Sequence, residues 1–393
     1  MKILLIGNYE NSRQQSMRRF AELMREGLVA AGHDVRLLCP PVILGRIRSG
    51  STGLAKWIGY IDRFLIFPFL LRHQVRWVDV VHICDHANAV YIPHLCGKPY
   101  IITCHDMLAI RAALGEIPMS PTGWTGTRYQ RWILGNLCKS RIVASVSCQT
   151  KKELNRLTGL RNDQIAIIPN SLNYSFSPMA LDEASPLLQS LGLNATQPFF
   201  LHVGGNQWYK NRFGLIRLFS ELIKIPDYKD HWLIMAGRPW SAEIRRLVGR
   251  LDIEHCTFEK VGVSNKVLRA LYSNTEALIF PSLQEGFGWP IVEAQACGCP
   301  VITSKREPML EVGGNAAIYI DPENEAGAVK IIAESLKERD RWKSAGLKNA
   351  ARYSRKGMIE SYIQCYHLTM SDNPLVSNAN MCTENATQEV EGN

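Results

Sequence analysis

Short apolar runs that stop at a glycine, a proline or a polar residue recur along the whole chain, with helical spacing between many of them. In the first half they read KILLIG, VRLLCP, VVHICD, YIITCHD, IVASVS and IAIIPN. A second series, FFLHVGG, HWLIMAG, CTFEKVG, ALIFPS, PVITSK and AAIYID, starts at Phe199. Most of these runs are near-continuously apolar instead of alternating, which is the pattern of strands covered on both faces. Between the first two runs Met17, Phe20, Leu23, Met24 and Leu28 recur at helical spacing, and Gly32 stops that helix. Strand, helix and strand within about forty residues form a βαβ unit, the building block of a parallel, doubly wound sheet. Two such series in 393 residues fit the size at which one core gives way to two domains. The expected division is an N-terminal domain over 1–180, a C-terminal domain over 181–352, a further segment over 353–371 and a polar, unpatterned tail over 372–393. Asn173 to Pro198 lacks periodicity and reads as a linker.

Composition narrows the partners. A hydrophobic fraction of 46% and a charged fraction of 21% are those of an ordinary globular protein. A formal charge of +9 favours an anionic partner such as a phosphorylated substrate or an acidic lipid surface. Nucleic acid is disfavoured, because neither a Lys/Arg run of five nor zinc-finger spacing occurs. The 11 cysteines are odd in number and several lie in apolar runs, as small buried hydrophobes of a reducing compartment do. Cys297 and Cys299 have poor metal spacing. MKILLIG is too short for a signal peptide and no apolar stretch reaches about 18 residues, so a cytoplasmic protein without a span is expected. The sequons at Asn173, Asn194 and Asn385 then carry no weight. Residues 41–77 stand apart, mixing Arg46, Arg48, Lys56, Arg63, Arg72 and Arg76 with Trp57, Tyr60, Phe64, Phe67 and Phe69. Two readings fit them: a membrane-interface segment, or core-packed helices with solvated charges.

The chemistry concentrates in PSLQEGFGWPIVEAQACGCPVI, which holds Glu285 and Glu293. Two acids so placed could be a catalytic dyad, a metal site, a sugar clamp or a solvated helix face. Their context is a strand, a glycine loop and a helix that Pro290 starts and Gly298 ends. Free N–H groups at such a helix start favour an anion such as a diphosphate, and Gly286 and Gly288 let backbone approach it. Glu285 is expected in the loop and Glu293 in the first helical turn, where acids flanking a phosphate site can accept bonds from sugar hydroxyls. In HVGGNQWYKNR, Lys210 and Arg212 follow a strand and can neutralise charge on a departing phosphate. His105 and Asp106 end another strand, so His105 either faces a crevice or caps a loop, and Asp106 caps the next helix. The first loop, IGNYEN, lacks the dinucleotide pattern G-x-G-x-x-G.

These residues resemble the family 4 (group 1) retaining glycosyltransferases. The signature is the Glu-x7-Glu motif, here EGFGWPIVE from Glu285 to Glu293, with AQACGCPVITS after it. FLHVGG with YKN, LIMAG, VGVSNKVLRALYSNTEA, ALIFPS and IIPNSLN extend the resemblance, which spans about residue 1 to 371. It implies the GT-B fold: two Rossmann-like domains facing a central cleft, with YSRKGMIESYIQCY as a closing helix crossing back to the first domain. It also implies a hexose moved from a nucleotide-sugar to a glycan or lipid-linked acceptor, in cell-surface polysaccharide or glycolipid synthesis. The nucleotide-sugar is a co-substrate, and neither a cofactor nor a metal is required. Glu293 would hold the ribose, Glu285 the donor sugar, and Phe287 and Gly288 would meet sugar or phosphate through backbone. Lys210 would stabilise the leaving diphosphate, and His105 would contact the donor sugar. Many members carry an arginine where this chain has Gly205 and Asn206, so Arg212 or Arg238 would complete the site. Acceptor-side candidates are Asn8, Ser12 and Arg13, in a loop without the Gly-Gly pair of many members. A non-catalytic nucleotide-sugar-binding partner, or another enzyme of this architecture such as an epimerase, are the alternatives.

Overall fold

The computed structural model describes residues 1–10, 15–44, 59–194 and 196–371. Ser12, Arg13, Arg46, Arg48, Lys56, Trp57 and the tail with Asn385 lie outside the described residues. The chain forms two compact units, one of Met1–Pro169 with the chain from Arg355 on, the other of Asn170–Ser354.

In the first unit the strands are β1 (Lys2–Ile6), β2 (Asp34–Leu38), β3 (Val80–Ile83), β4 (Tyr100–Cys104), β5 (Val143–Ser145) and β6 (Ile165–Ile167). They pair in the order β2-β1-β3-β4-β5-β6, and every pairing is parallel. Leu4, Ile6, Val81, Ile83 and Ile102 of these strands pack with Phe67, Leu71 and Val75 of the helix Phe67–Val75. Full burial of each such side chain contributes about 1.5–3 kcal/mol before entropy is counted. The helix Arg355–Met370 joins this unit, packing on the helix Gln15–Ala30 and on β4. At that crossing a Cβ on Gly27 would come within 2.5 Å of Ile359, so glycine is what lets the two helices approach.

The second unit repeats the plan with β7 (Phe199–Gly204), β8 (Trp232–Gly237), β9 (Thr257–Val261), β10 (Leu278–Phe280), β11 (Val301–Ser304) and β12 (Ile318–Ile320). Its order is β12-β11-β10-β7-β8-β9, again with every pairing parallel. Phe200, Leu233, Met235 and Ile279 from the strands and Phe219 from a covering helix lie in its core. The stretch read as a linker contains a helix, Leu181–Gln189, with Ala184 and Leu188 buried. Pro186 inside it masks the helical pattern, since proline removes one intrahelical bond.

Each sheet reverses its strand order once, between β1 and β3 in the first unit and between β7 and β10 in the second. At such a point the loops from the carboxyl ends of the two strands diverge to opposite faces, leaving room for a ligand.

Candidate active site

At the reversal in the second unit, the loop after β7 carries Lys210 and the loop after β10 carries Glu285. Lys210 Nζ donates to Glu285 Oε1 at 2.6 Å, and both side chains are largely shielded from water. The Lys210 ammonium also lies 5.0 Å from the centre of the Phe280 ring. Backbone ties the same two loops, since Leu283 N–H donates to the Tyr209 carbonyl at 2.7 Å. Two residues 75 positions apart thus meet because their strands are neighbours.

The loop after β7 is braced from beneath by Arg212. Its guanidinium donates to the carbonyl of Gly204 at 2.6 Å, the carbonyl of Arg238 at 3.1 Å and the side chain of Asn206. Asn206 in turn donates to the Pro239 carbonyl at 2.6 Å, lacing this loop to the one after β8. Burial pushes the Arg212 pKa down to about 10, so it remains a cation at neutral pH. Among the described residues no carboxylate lies within ion-pair distance of it. Gly205 occupies the turn itself, where a Cβ would come 2.3 Å from the Gln207 side-chain oxygen. The side chain of Arg238 is exposed at the end of β8. Asn211, with φ 49°, caps the helix Arg212–Leu222 by accepting from Gly214 N–H at 3.2 Å.

Gly286, Phe287 and Gly288 follow Glu285 and lead into the helix Trp289–Ala296. Gly288 stands at φ 105°, and no side chain caps that helix start, which leaves the field of its N–H groups directed at the loop. Phe287 is buried against Tyr353, ring centres 5.6 Å apart, and so braces the loop by packing. Glu293 is the fifth residue of the helix, in its second turn, where the sequence suggested the first. It is not part of a solvated helix face, because its carboxylate is buried and accepts from Tyr272 O–H at 2.9 Å. Glu285 and Glu293 do not bond each other: each has its own partner, Lys210 and Tyr272. Cys297 and Cys299 are buried free thiols, and burial pushes the Cys297 thiol up to about 12.

The reversal in the first unit has a matching bridge. Asn8, after β1, donates through Nδ2 to Asp85 Oδ2, after β3, at 2.5 Å, and accepts from Asn88 Nδ2 at 2.8 Å. Asp85 also accepts from Ala87 N–H at 2.9 Å and lies 3.3 Å from His86 Nδ1. Burial acts to raise the Asp85 pKa, but His86, His105 and the Asn8 bond outweigh it and hold the carboxyl below its ordinary range. His105, after β4, donates from Nε2 to the Cys84 carbonyl at 2.9 Å and packs edge-on against Phe20. Burial lowers its pKa, and Asp85 offsets part of that. Asp106 accepts from Leu108 N–H at 2.9 Å, at the start of the helix Leu108–Ala113. Asp85, Asn88 and Tyr272 are absent from the sequence reading. For Asp85 a signal exists: VHICDH ends a strand in an acid beside a histidine, as IITCHD does.

The chain is similar to known proteins in sequence and in fold. The profile described as "Glycosyl transferases group 1" matches residues 185–355, and "Glycosyltransferase Family 4" matches residues 17–176. The chain is 29% identical over 341 residues to O-antigen chain mannosyltransferase B of Escherichia coli, covering 84% of this chain and 87% of that protein. It is 27% identical over 351 residues to GDP-mannose:cellobiosyl-diphosphopolyprenol alpha-mannosyltransferase of Xanthomonas oryzae pv. oryzae, covering 82% and 84%. Its fold matches that of Anabaena HepE in complex with UDP-glucose with a TM-score of 0.69, at 15% identity, over 93% of this chain and 98% of that one. The chain belongs to the group 1, family 4 glycosyltransferases and has their GT-B fold.

Proposed function

We propose that the protein transfers a hexose from a nucleotide-sugar to a glycan or lipid-linked acceptor, with retention at the anomeric carbon, in cell-surface polysaccharide or glycolipid synthesis. The observation that carries this is the Lys210–Glu285 pair at the strand-order reversal, beside the uncapped start of the helix Trp289–Ala296. On this reading the diphosphate sits at that helix start and Lys210 turns from Glu285 to the departing phosphate. Glu285, thus released, takes hydroxyls of the donor sugar, and Glu293 takes those of the ribose. Arg212 keeps the loop positively charged even though Lys210 is balanced by Glu285. These cations meet the diphosphate charge themselves, so the reading needs no metal. The bond from the anomeric carbon to the diphosphate breaks, its electron pair leaves with the nucleotide, and the acceptor oxygen bonds that carbon on the same face while its proton passes to the departing diphosphate oxygen. His105 is the first unit's candidate contact to the sugar, and Asn8 its candidate toward the acceptor. A lipid-linked acceptor places the enzyme at a membrane face, with contact through residues 41–77.

Two relatives named as mannosyltransferases make GDP-mannose the first donor to test. At about one hundred times its Kd, a true donor stabilises the native state by about 2.7 kcal/mol, which a thermal-shift panel reads as a raised melting midpoint. The same donor should be hydrolysed slowly to nucleoside diphosphate. Glu285→Gln is expected to cut that release by roughly 10²–10³-fold while the thermal shift persists. Undiminished release in Glu285→Gln would remove Glu285 from the chemistry, and a panel without any shift would overturn the donor reading.

A further inference from the structure

Two elements of the first unit carry exposed apolar side chains that take no part in the chemistry proposed above. The turn Asp62–Ile66 and the helix Phe67–Val75 bury Phe67, Leu71 and Val75 in the core, but they leave Leu65 59% and Phe69 71% exposed. In the helix Trp124–Leu137, Trp124, Arg128 and Trp132 fall at i, i+4 and i+8 along one stripe. Trp124 is 72% exposed and Trp132 44%. The two elements meet at Phe64, whose ring centre lies 5.5 Å from that of Trp132 and 5.8 Å from that of Tyr129. Phe64 therefore ties the turn that carries Leu65 to the helix stripe that carries Trp132.

The charges on this face have a single sign. Residues 59–76 contain one acid, Asp62, which is buried and accepts from the Ile43 and Leu44 N–H groups and from Tyr9. Residues 117–139 contain none. Arg72, Arg76, Arg128 and Arg131 are exposed, and among the described residues none of the four is ion-paired with a carboxylate. Arg128 instead lies 4.9 Å over the Trp124 ring. Exposed aromatic and aliphatic groups ringed by unpaired cations match the boundary between acyl chains and anionic headgroups. A second copy of this chain would set like charges against each other across the face, which disfavours self-association. Among the described residues no helix is long and apolar enough to cross a membrane, so the contact is peripheral.

We infer that the face formed by Leu65, Phe69, Trp124 and Trp132, with Arg72, Arg76, Arg128 and Arg131 around it, docks on an anionic lipid bilayer. The inference deepens the membrane-side part of the function proposed above. It relocates the contact from a single segment to a composite surface whose larger aromatic share comes from the helix Trp124–Leu137.

Co-sedimentation of the full chain with vesicles tests it without turnover. One set is pure phosphatidylcholine and the other carries roughly one-third phosphatidylglycerol. Binding is expected to the anionic vesicles only and to weaken with salt. Each basic residue near the surface contributes roughly a fivefold factor, so Arg128→Glu with Arg131→Glu is expected to weaken binding by at least about tenfold. Phe69→Ser with Trp124→Ser should do the same, whereas Leu347→Ser with Lys348→Glu, on the second unit, should leave binding intact. Circular dichroism confirms that each variant folds. Equal binding to both vesicle types, wild-type binding by the two face variants, or no binding by the wild type overturns the proposal. So does a concentration-dependent dimer in light scattering that the face variants dissolve. Absence of vesicle binding by the wild-type protein with donor hydrolysis intact would fail the membrane contact alone; anionic vesicle binding without donor hydrolysis would fail the transferase reading alone.

Discussion

At Gly237, the last residue of β8, the backbone stands at φ 144°, and a Cβ there would lie 2.0 Å from the Gly204 carbonyl oxygen. That oxygen is the one Arg212 Nη2 holds at 2.6 Å, so any side chain at 237 pushes against the brace of the Lys210 loop. Gly237→Ala is expected to cost about 2–3 kcal/mol in urea denaturation and to abolish the donor's thermal shift. Gly135→Ala is the contrast, because nothing lies within 4 Å of its added Cβ on a helix surface. It should stabilise by about 0.5–1 kcal/mol, and equal effects of the two would refute the argument. Lys210 and Glu285 were legible in the sequence because each follows an apolar run and adjoins glycines, which marks the carboxyl end of a strand. Their bond to each other was not legible, since it depends on β7 and β10 being neighbours. Asp85 was missed for the same reason: its partner Asn8 is 77 residues away and becomes adjacent only when β3 pairs with β1.

The helix Arg355–Met370 was readable only through its resemblance to the family's closing helix; in the structure Met358, Ile359, Tyr362, Cys365, Tyr366 and Thr369 are buried along one side. What holds it was not readable. Tyr366 O–H bonds His82 Nδ1 at 2.8 Å, His82 Nε2 bonds Thr103 Oγ1 at 2.8 Å, and Thr103 bonds Tyr362 O–H at 2.9 Å. This buried chain joins the helix to β3 and β4 with both imidazole nitrogens engaged, which fixes the helix in register and in rotation. Tyr366→Phe leaves a buried ring nitrogen of His82 unmet and should cost about 1–3 kcal/mol in chemical denaturation. Tyr362→Phe should cost a similar amount, and the double variant should cost less than the two together, because both act on one network. Strict additivity would show that the two hydroxyls are independent. The helix Leu181–Gln189 went unread, since its proline and short buried stripe give periodicity little to work with.

Over the whole molecule each unit buries a histidine in the strand that leads to its reversal point or lies beside it: His82 on β3 and His202 on β7. Burial, then the charge of His105, pushes His82 down to about 3. Burial, then Arg212, pushes His202 down to about 3, while its Nδ1 donates to the Ile279 carbonyl at 3.0 Å. Both imidazoles are neutral in the fold, whereas unfolded histidine titrates near 6.5. Between pH 6.5 and 3 the unfolded chain therefore binds more protons than the native one, and stability rises with pH. The contribution is complete above about pH 6.5 and is lost as pH falls, by about 1.4 kcal/mol per unit for each histidine. At pH 5 each unit has lost about 2 kcal/mol relative to pH 7, so acid weakens both units through the same window. His202→Asn separates the contributions, because an amide can keep the bond to the Ile279 carbonyl without titrating. In that variant about half of the pH 7 to pH 5 loss attributable to the two histidines should disappear, read from denaturation midpoints at each pH. An unchanged pH dependence would mean that His202 is not the neutral group its burial beneath the Lys210 loop requires.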